Sequence, residues 1–122
     1  MVVNVVSIRG ATTVENNHKS DIIEATKELL LKISEANKLN KDNIISIIFS
    51  STKDLNSEYP AKAARLLGYT QCGLMCFAEM DVVGSIDKCI RVLVLYQGNI
   101  KQKDVKHIYL KNAKSLRPDL SE

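Results

Sequence analysis

Several residue types on which common functional sites depend are scarce in this sequence or missing from it. Its 122 residues contain no Trp, only two His and only three Cys. The two histidines, His18 and His107, stand alone, and the cysteines lack the C-x-x-C spacing of zinc sites. We therefore expect no metal site.

Long apolar runs and blocks of like charge are also missing. No apolar run approaches the roughly 18 residues that would span a membrane, and the first residues do not form a signal peptide. The formal net charge is +3, with the lysines scattered along the chain, unlike a nucleic-acid or membrane-surface patch. The odd cysteine count favours a reduced protein. We expect a cytoplasmic protein that binds neither nucleic acid nor membrane and whose partner is a small anion.

The residue sets of several enzyme classes are not evident either. We find no Ser-His-Asp set, no phosphate-binding glycine loop and no evident pair of catalytic carboxylates. A thiolate nucleophile needs an activating base, and no His is placed beside Cys76. What remains is a cationic site with one acid, one phenol and one thiol. Such a site can bind a small polyanion and stabilise charge separation without proton transfer.

Arginine is rare, and its rarity is informative. Of 17 basic residues, 13 are Lys and only four are Arg: Arg9, Arg65, Arg91 and Arg117. Because a guanidinium is planar and permanently charged, each Arg is a candidate for gripping a carboxylate. The alternative, that these positions reflect no functional choice, stays open at this point.

The chain does contain enough apolar material for one core. Apolar residues make up 45% of the sequence, so we expect residues 1–122 to form a single domain. Hydrophobic periodicity and turn residues predict five strands and two helices. The strands are predicted at 2–8, 44–51, 72–78, 90–96 and 104–110, and the helices at about 20–37 and 61–67.

Local signals predict where these elements begin and end. Asn17 or Ser20 is expected to cap the long helix, while Pro60 begins the short one and Gly68 ends it. Arg9 is expected at the carboxyl end of the first strand, where open α/β sheets often bind ligands. Loops are predicted at 11–17, 53–58 and 97–102, and a mobile tail at about 117–122.

This order of elements predicts an α+β fold, with a mixed β-sheet covered by one long and one short helix. A single helical layer covers only one face of so apolar a sheet. Packing against further copies of the chain is the simplest way to bury the other face, so we expect a homo-oligomer.

Arg91 and Glu79 are the most unusual choices in the chain. Arg91 interrupts an apolar strand that we expect to be buried on both faces, where a guanidinium is costly unless an anion meets it. Glu79 follows the predicted strand at 72–78. Residues 80–88 link the two strands and could bring Glu79 and Arg91 to neighbouring positions in one sheet.

Two smaller clusters have open interpretations. Lys62 and Arg65 are three residues apart and share one helix face, where they either bind an anion or are solvated. Ser50, Ser51 and Thr52 end the second predicted strand, where they either cap a turn or touch a ligand.

Five blocks in this order resemble the AroH-type chorismate mutases over almost the whole chain. They are SIRGATTVE at 7–15, YPAKAAR at 59–65, CFAEMDVVGSIDKCIRV at 76–92, HIYL at 107–110 and LRPDL at 116–120. The resemblance implies a homotrimer whose sheets enclose a pseudo-α/β-barrel, with active sites between subunits. It also implies the Claisen rearrangement of chorismate to prephenate, a step toward Phe and Tyr, with no cofactor and no covalent intermediate.

The resemblance further implies a role for each site residue. Arg91 would contact the ether oxygen of the breaking bond, and Glu79 would accept a hydrogen bond from the ring hydroxyl. Arg9 and Tyr109 would hold the carboxylate of the enolpyruvyl side chain. The other implied substrate contacts are Met75 and Cys76, Leu116 of the tail, and Tyr59, Ala61, Lys62 and Arg65 from the adjacent subunit.

Two other functions fit part of the pattern. A non-catalytic trimer that binds a small carboxylate would need the arginines but not Glu79 beside Arg91. A trimeric imine deaminase of similar architecture would have an Arg site between subunits but would lack the SIRGATT and LRPDL blocks.

Overall fold

A computed structural model describes residues 3–119 of the chain. The predicted order of strands and helices is confirmed, and the fold is mixed α+β. The elements are β1 (Asn4–Thr13), α1 (Lys19–Asn37), β2 (Ile44–Ser51), α2 (Ala61–Leu66), β3 (Gly73–Ala78), β4 (Cys89–Gly98) and β5 (Ile108–Tyr109), with short 3-10 turns at Lys41–Asn43, Gln102–Asp104 and Lys111–Leu116.

All five strands form one mixed sheet in the order β3-β2-β4-β1-β5. The central strand β4 is antiparallel to both β2 and β1. The edge strands β3 and β5 are parallel to β2 and β1, respectively. As a result, β4 is flanked on both sides and carries its side chains to the middle of each sheet face.

One face of the sheet is covered by the two helices. The apolar stripe of α1 is buried against it, with Ile22, Leu29 and Ile33 at most 1% exposed. The strands pack against the helices through alternating buried residues, such as Ile47 and Phe49 in β2. This face contains the core.

The ends of α1 are decided by its surroundings. The helix begins after His18, which makes no side-chain cap hydrogen bond, so the predicted cap at Asn17 or Ser20 is wrong. The Asn17 side chain instead accepts hydrogen bonds from the backbone N–H groups of residues 56 and 57. The predicted end at Asn37 is confirmed. There Lys38 takes the left-handed conformation and closes the last turn.

β1 is longer than predicted, which corrects the expected position of Arg9. The strand continues through Thr13 because its last residues pair with the start of β4 and are buried. Arg9 therefore lies inside β1, and not at its carboxyl end. The predicted first residue of the strand, Val2, lies outside the described residues.

β4 is not buried on both faces in the isolated chain, contrary to the sequence-based expectation. Ile90, Val92 and Val94 face the helices and are buried. Arg91 and Leu93 point to the opposite face, which α1 and α2 do not cover, and Arg91 is exposed there. The apolar run reflects one core face and one open face.

β5 is shorter than the predicted strand at 104–110. Two side chains occupy the outer edge of β1 in its place: Gln102 hydrogen-bonds both backbone groups of Ser7, and Nδ1 of His107 accepts the N–H of Arg9. Asn37 holds both backbone groups of Lys106. Side chains therefore satisfy backbone groups that a longer strand would pair.

The open face of the sheet carries large apolar side chains in the described part of the chain. Val5, Met75 and Phe77 are all more than half exposed there. Several large apolar side chains exposed on one face of a sheet are typical of an interaction surface.

Candidate active site

The register of the sheet brings three of the predicted site residues to the open face. Arg91 of β4 pairs with Ala11 of β1, and Ala11 in turn pairs with Tyr109 of β5. Since side chains alternate along a strand, Arg9 points to the same face as Ala11. Arg9, Arg91 and Tyr109 therefore lie on one face across three adjacent strands.

These residues line a shallow cleft of about 260 Å³. Its floor is apolar, formed by Ile48 and Leu93, and Ser50 of β2 lies beside Arg91. Two guanidinium groups, a phenol and a hydroxyl thus converge over an apolar floor. This is the composition expected of a site for a small organic anion.

Glu79 joins this group from the end of β3. The strands that lead to Glu79 and Arg91 are not neighbours, because β2 lies between them. Nevertheless, Oε2 of Glu79 lies 3.5 Å from Nε of Arg91. The same oxygen accepts a hydrogen bond of 2.5 Å from Oγ of Ser50. The predicted meeting of Glu79 and Arg91 is therefore confirmed, although Glu79 reaches Arg91 across an intervening strand.

Both partners of this ion pair are in contact with solvent in the isolated chain. The side chains of Arg91 and Glu79 are 47% and 24% exposed, respectively. An ion pair this open contributes at most about 1 kcal/mol to stability. The arrangement is better explained by recognition of an anion than by stabilisation of the fold.

Arg9 strengthens the positive character of the cleft. No carboxylate within residues 3–119 forms an ion pair with its guanidinium at 4.0 Å or less. The backbone N–H of Arg9 donates to Nδ1 of His107 at 2.9 Å. Burial, together with Arg9 and Arg117, lowers the pKa of His107. His107 therefore favours the neutral form and positions β1, while the arginines supply the charge.

None of the three thiols is activated as a nucleophile. Burial raises the pKa of Cys89, next to Arg91 on the same face, to about 11. Burial also raises the pKa of Cys76 and of Cys72. Each thiol is therefore protonated at neutral pH, and covalent catalysis through a thiolate is not supported.

The second group of predicted residues lies around α2 and the β3 edge. Tyr59 is 69% exposed and borders a cleft of about 510 Å³ with Cys76 and Phe77. On α2, Ala61 is buried at the first turn, while Lys62 and Arg65 are exposed. Lys62 forms an ion pair of 3.4 Å with Glu58, whose pKa is lowered first by the N–H of Tyr59 and then by Lys62.

The two groups do not meet within one chain. α2 packs on the helical side of the sheet, and Cys76 faces that side because it pairs with the buried Phe49. Met75, its neighbour, points to the open face and is exposed. Arg91 and its partners occupy the open face instead. One chain thus presents two separate groups of candidate residues, each with its own cations.

The C-terminal segment lies close to the first group. Leu116 packs with Tyr109 against a small cluster around Ala11, Cys89 and Ala113. Arg117 is held by both carboxylate oxygens of Asp119, at 3.1 and 2.9 Å. Residues 120–122 of the predicted tail lie outside the described residues.

Sequence reasoning left the role of Ser50 open and missed the contact of His107 with Arg9. Ser50 was identified only as one of a polar cluster, and the neighbouring Thr52 is the residue that forms a turn, with Asp54. The signal for Ser50 is its strand position opposite Arg91, which requires the register. His107 carries no local signal, because its partner Arg9 is 98 residues away.

Residues 3–119 contain no group of three or more His, Cys, Asp or Glu placed to hold a metal ion. In the same region no helix has both the length and the apolar character needed to cross a membrane.

The chain is similar to known proteins over most of its length. Residues 5–120 match the family described as chorismate mutase type I. The chain is 44% identical over 115 residues to chorismate mutase AroH of Bacillus subtilis (strain 168), covering 93% of this chain and 91% of that protein. It is 45% identical over 114 residues to chorismate mutase AroH of Thermus thermophilus, covering 93% of each. A solved structure of a chorismate mutase from Clostridium thermocellum matches with a TM-score of 0.88 at 50% identity, covering 89% of this chain and 97% of that one.

Proposed function

This chain belongs to the type I chorismate mutase family, and from that premise we propose how its residues build the active site. The protein is a chorismate mutase, an isomerase of aromatic amino acid biosynthesis that converts chorismate to prephenate. The observation that supports the assignment of the site is that Arg9, Arg91 and Tyr109 line one cleft, and that Glu79 forms an ion pair with Arg91 beside it.

The reaction is intramolecular and requires no covalent bond between the protein and the substrate. In chorismate the ether carbon–oxygen bond breaks while a carbon–carbon bond forms between the side chain and the ring, and no proton is transferred. Negative charge grows on the ether oxygen as the bond breaks. A donor already oriented at that oxygen stabilises the transition state more than the ground state.

Arg91 is the donor that we assign to the ether oxygen. It lines the cleft from the middle strand of the sheet, and its Nε lies 3.5 Å from Oε2 of Glu79. Because a guanidinium has several N–H groups in one plane, the remaining donors stay available for substrate. One such donor is worth roughly 3–4 kcal/mol of barrier height, a large share of the ~8 kcal/mol that a millionfold acceleration requires.

Arg9 and Tyr109 are assigned to the carboxylate of the enolpyruvyl side chain. Both line the same cleft as Arg91, and Arg9 has no carboxylate partner closer than 4.0 Å in the described chain. Glu79 is assigned to the ring hydroxyl as a hydrogen-bond acceptor. Holding both ends of the substrate keeps the side chain over the ring in a reactive geometry.

We further propose that each active site is completed by a second copy of the chain, in a homotrimer whose sheets form a pseudo-α/β-barrel. Tyr59, Ala61, Lys62 and Arg65 lie on the helical side and at the β3 edge, away from the cleft. Met75 and Cys76 lie on that edge strand as well. A neighbouring copy packed on the open face could bring this second group over the first, and Leu116 would close the site from the tail. Val5, Met75 and Phe77 supply apolar surface for such packing.

We also propose that the chain acts as one domain in the cytoplasm, without cofactor, metal, nucleic acid or membrane. The elements from β1 to the last 3-10 turn all belong to one unit, formed by one sheet and one helical layer. All three cysteines are free, which suits a reducing compartment.

The function is tested by incubating the purified protein with chorismate and following the loss of its ultraviolet absorbance. We expect a large acceleration over the uncatalysed reaction. A carboxylate-binding protein would bind chorismate without consuming it, and an imine deaminase would leave chorismate unchanged. No acceleration by folded protein would overturn the function.

The shared site is tested by subunit complementation. Arg91→Ala should be poorly active alone at any substrate concentration, and Arg65→Ala should be poorly active at chorismate concentrations well below its raised KM, where the assay is run. When the two are unfolded together and refolded as mixed trimers, about one quarter of the interfaces should combine two intact halves. Recovery of activity toward that fraction supports a site shared between subunits, whereas no recovery in verified mixed trimers would contradict it. Analytical ultracentrifugation of the wild type should report three chains.

A further inference from the structure

Ser50 occupies the strand that separates the two members of the ion pair. β2 runs between β3 and β4, and Ser50 pairs with Phe77 on one side and with Arg91 on the other. Its side chain points to the open face and borders the cleft. The hydroxyl therefore lies between Glu79, the residue that follows the end of β3, and the guanidinium of Arg91.

The contacts of Glu79 show how Ser50 holds it. The backbone N–H of Glu79 donates to the carbonyl of Ser51 at 2.9 Å, which extends the pairing of β2 and β3 by one residue. Oε2 of the carboxylate accepts the Ser50 hydroxyl at 2.5 Å. Arg91 approaches the same oxygen only to 3.5 Å, which is long for a hydrogen bond.

The hydroxyl of Ser50 thus makes the shorter of the two contacts that restrain the flexible Glu79 side chain. Glu has three rotatable side-chain bonds and loses rotamer freedom when its carboxylate is fixed. With Oε2 occupied by Ser50 and Arg91, Oε1 accepts no hydrogen bond from the described residues. One oxygen is anchored to the protein, and the other is left to accept a hydrogen bond from a ligand.

We propose that Ser50 is a positioning residue for the mutase reaction, which fixes the carboxylate of Glu79 beside Arg91 so that its second oxygen meets the substrate hydroxyl. This inference rests on the proposed function of Glu79. Ser50 acts through Glu79, and it is not itself assigned a bond to the reacting atoms.

A double-mutant cycle tests this role. Ser50→Ala should lower kcat/KM by roughly tenfold to a hundredfold, the loss expected for one hydrogen bond to a charged group. In a Glu79→Ala background the same substitution should have almost no further effect, because the group it positions is gone. The same cycle, measured calorimetrically as the Kd of a bicyclic diacid that mimics the transition state, gives an answer independent of residual turnover.

Ser46→Ala is the matched control. Ser46 lies on the same strand and the same face as Ser50, opposite Gly73 and Leu95, and has no hydrogen-bonding role toward Glu79. It should keep wild-type kcat/KM. Thermal unfolding of all variants identifies any loss that arises from misfolding.

The outcomes separate the two claims. Wild-type kcat/KM and Kd in folded Ser50→Ala would overturn the role of Ser50, as would equal losses with and without Glu79. A wild-type protein that does not rearrange chorismate would overturn the proposed function instead.

Discussion

Glu79 and Arg91 meet at 3.5 Å although the strands that carry them toward each other are separated by β2. The contact depends on the antiparallel register that places Arg91 opposite Ser50, and on the parallel register that ends β3 beside Ser51. An exposed ion pair of this kind adds little to stability. Its value lies in presenting one carboxylate and one guanidinium in a fixed relation to a bound anion.

Arg91→Lys should leave the fold intact and nearly abolish turnover. An ammonium is a single point charge on a flexible chain and cannot reproduce the placement of the planar guanidinium. We expect kcat to fall by at least about a hundredfold, corresponding to a loss of roughly 3 kcal/mol, with an unchanged melting temperature. Arg91→citrulline, which keeps the shape without the charge, separates the two contributions. Near-wild-type kcat in Arg91→Lys would argue against the assigned role.

Glu79→Gln should be milder than Glu79→Ala. The amide oxygen of Gln can still accept a hydrogen bond from the substrate, whereas Ala offers no acceptor. Steady-state kinetics of both variants, with folding checked by circular dichroism, provide the comparison. If the two variants lose kcat/KM equally, acceptance of a hydrogen bond is not the role of Glu79.

Lys62→Ala and Arg65→Ala should raise KM and largely preserve kcat. Both side chains are exposed on α2, away from the cleft around Arg91, so we expect them to bind the substrate equally in ground and transition states. Lys103→Ala, which removes an exposed lysine on the turn at Gln102–Asp104, is the control and should change neither constant. A selective fall in kcat would instead show that Lys62 and Arg65 stabilise the transition state.

Gly10→Ala should destabilise the fold by about 1–3 kcal/mol through overpacking. A Cβ at Gly10 would lie 2.8 Å from Cδ1 of Ile33 and 3.0 Å from the carbonyl oxygen of Ile108, so α1 and β5 could not both keep their positions. Gly73→Ala is the control, since its Cβ would meet only Cβ of Ser46, at 3.9 Å. Chemical denaturation at one protein concentration measures both variants. Equal stability of the two would contradict this packing argument.

His107 should make stability depend on pH below its ordinary pKa of 6.5. Because burial, Arg9 and Arg117 lower its pKa in the folded state, the unfolded chain binds the proton more tightly. The stabilising contribution is complete above about pH 6.5 and is lost as the pH falls through the folded-state pKa.

His107→Gln provides the comparison, because Gln does not titrate. The wild type should lose more free energy of unfolding than His107→Gln between pH 7.5 and pH 5, when both are followed by urea denaturation at one protein concentration. Parallel losses in the two proteins would show that other groups cause the pH dependence.

Local patterns predicted most of the architecture. The β-branched run at 44–51 and the apolar stripe of α1 predicted β2 and the end of the helix correctly. These signals are properties of neighbouring residues, so they can be read without knowing the fold. The extent of β1 and of β5 could not be read in this way. Thr12 and Thr13 are drawn into β1 by pairing with β4, and Gln102 and His107 replace a longer β5.

The sequence by itself determined the family, the order of the elements and the residue types available for an anionic substrate, because these depend on composition and local order along the chain. Only the tertiary structure decided that β2 separates Glu79 from Arg91, that Ser50 connects them, and that the second set of cations lies apart from the cleft. The physical reason is that strand order and register are set by packing between segments distant in sequence, and no local pattern specifies that packing.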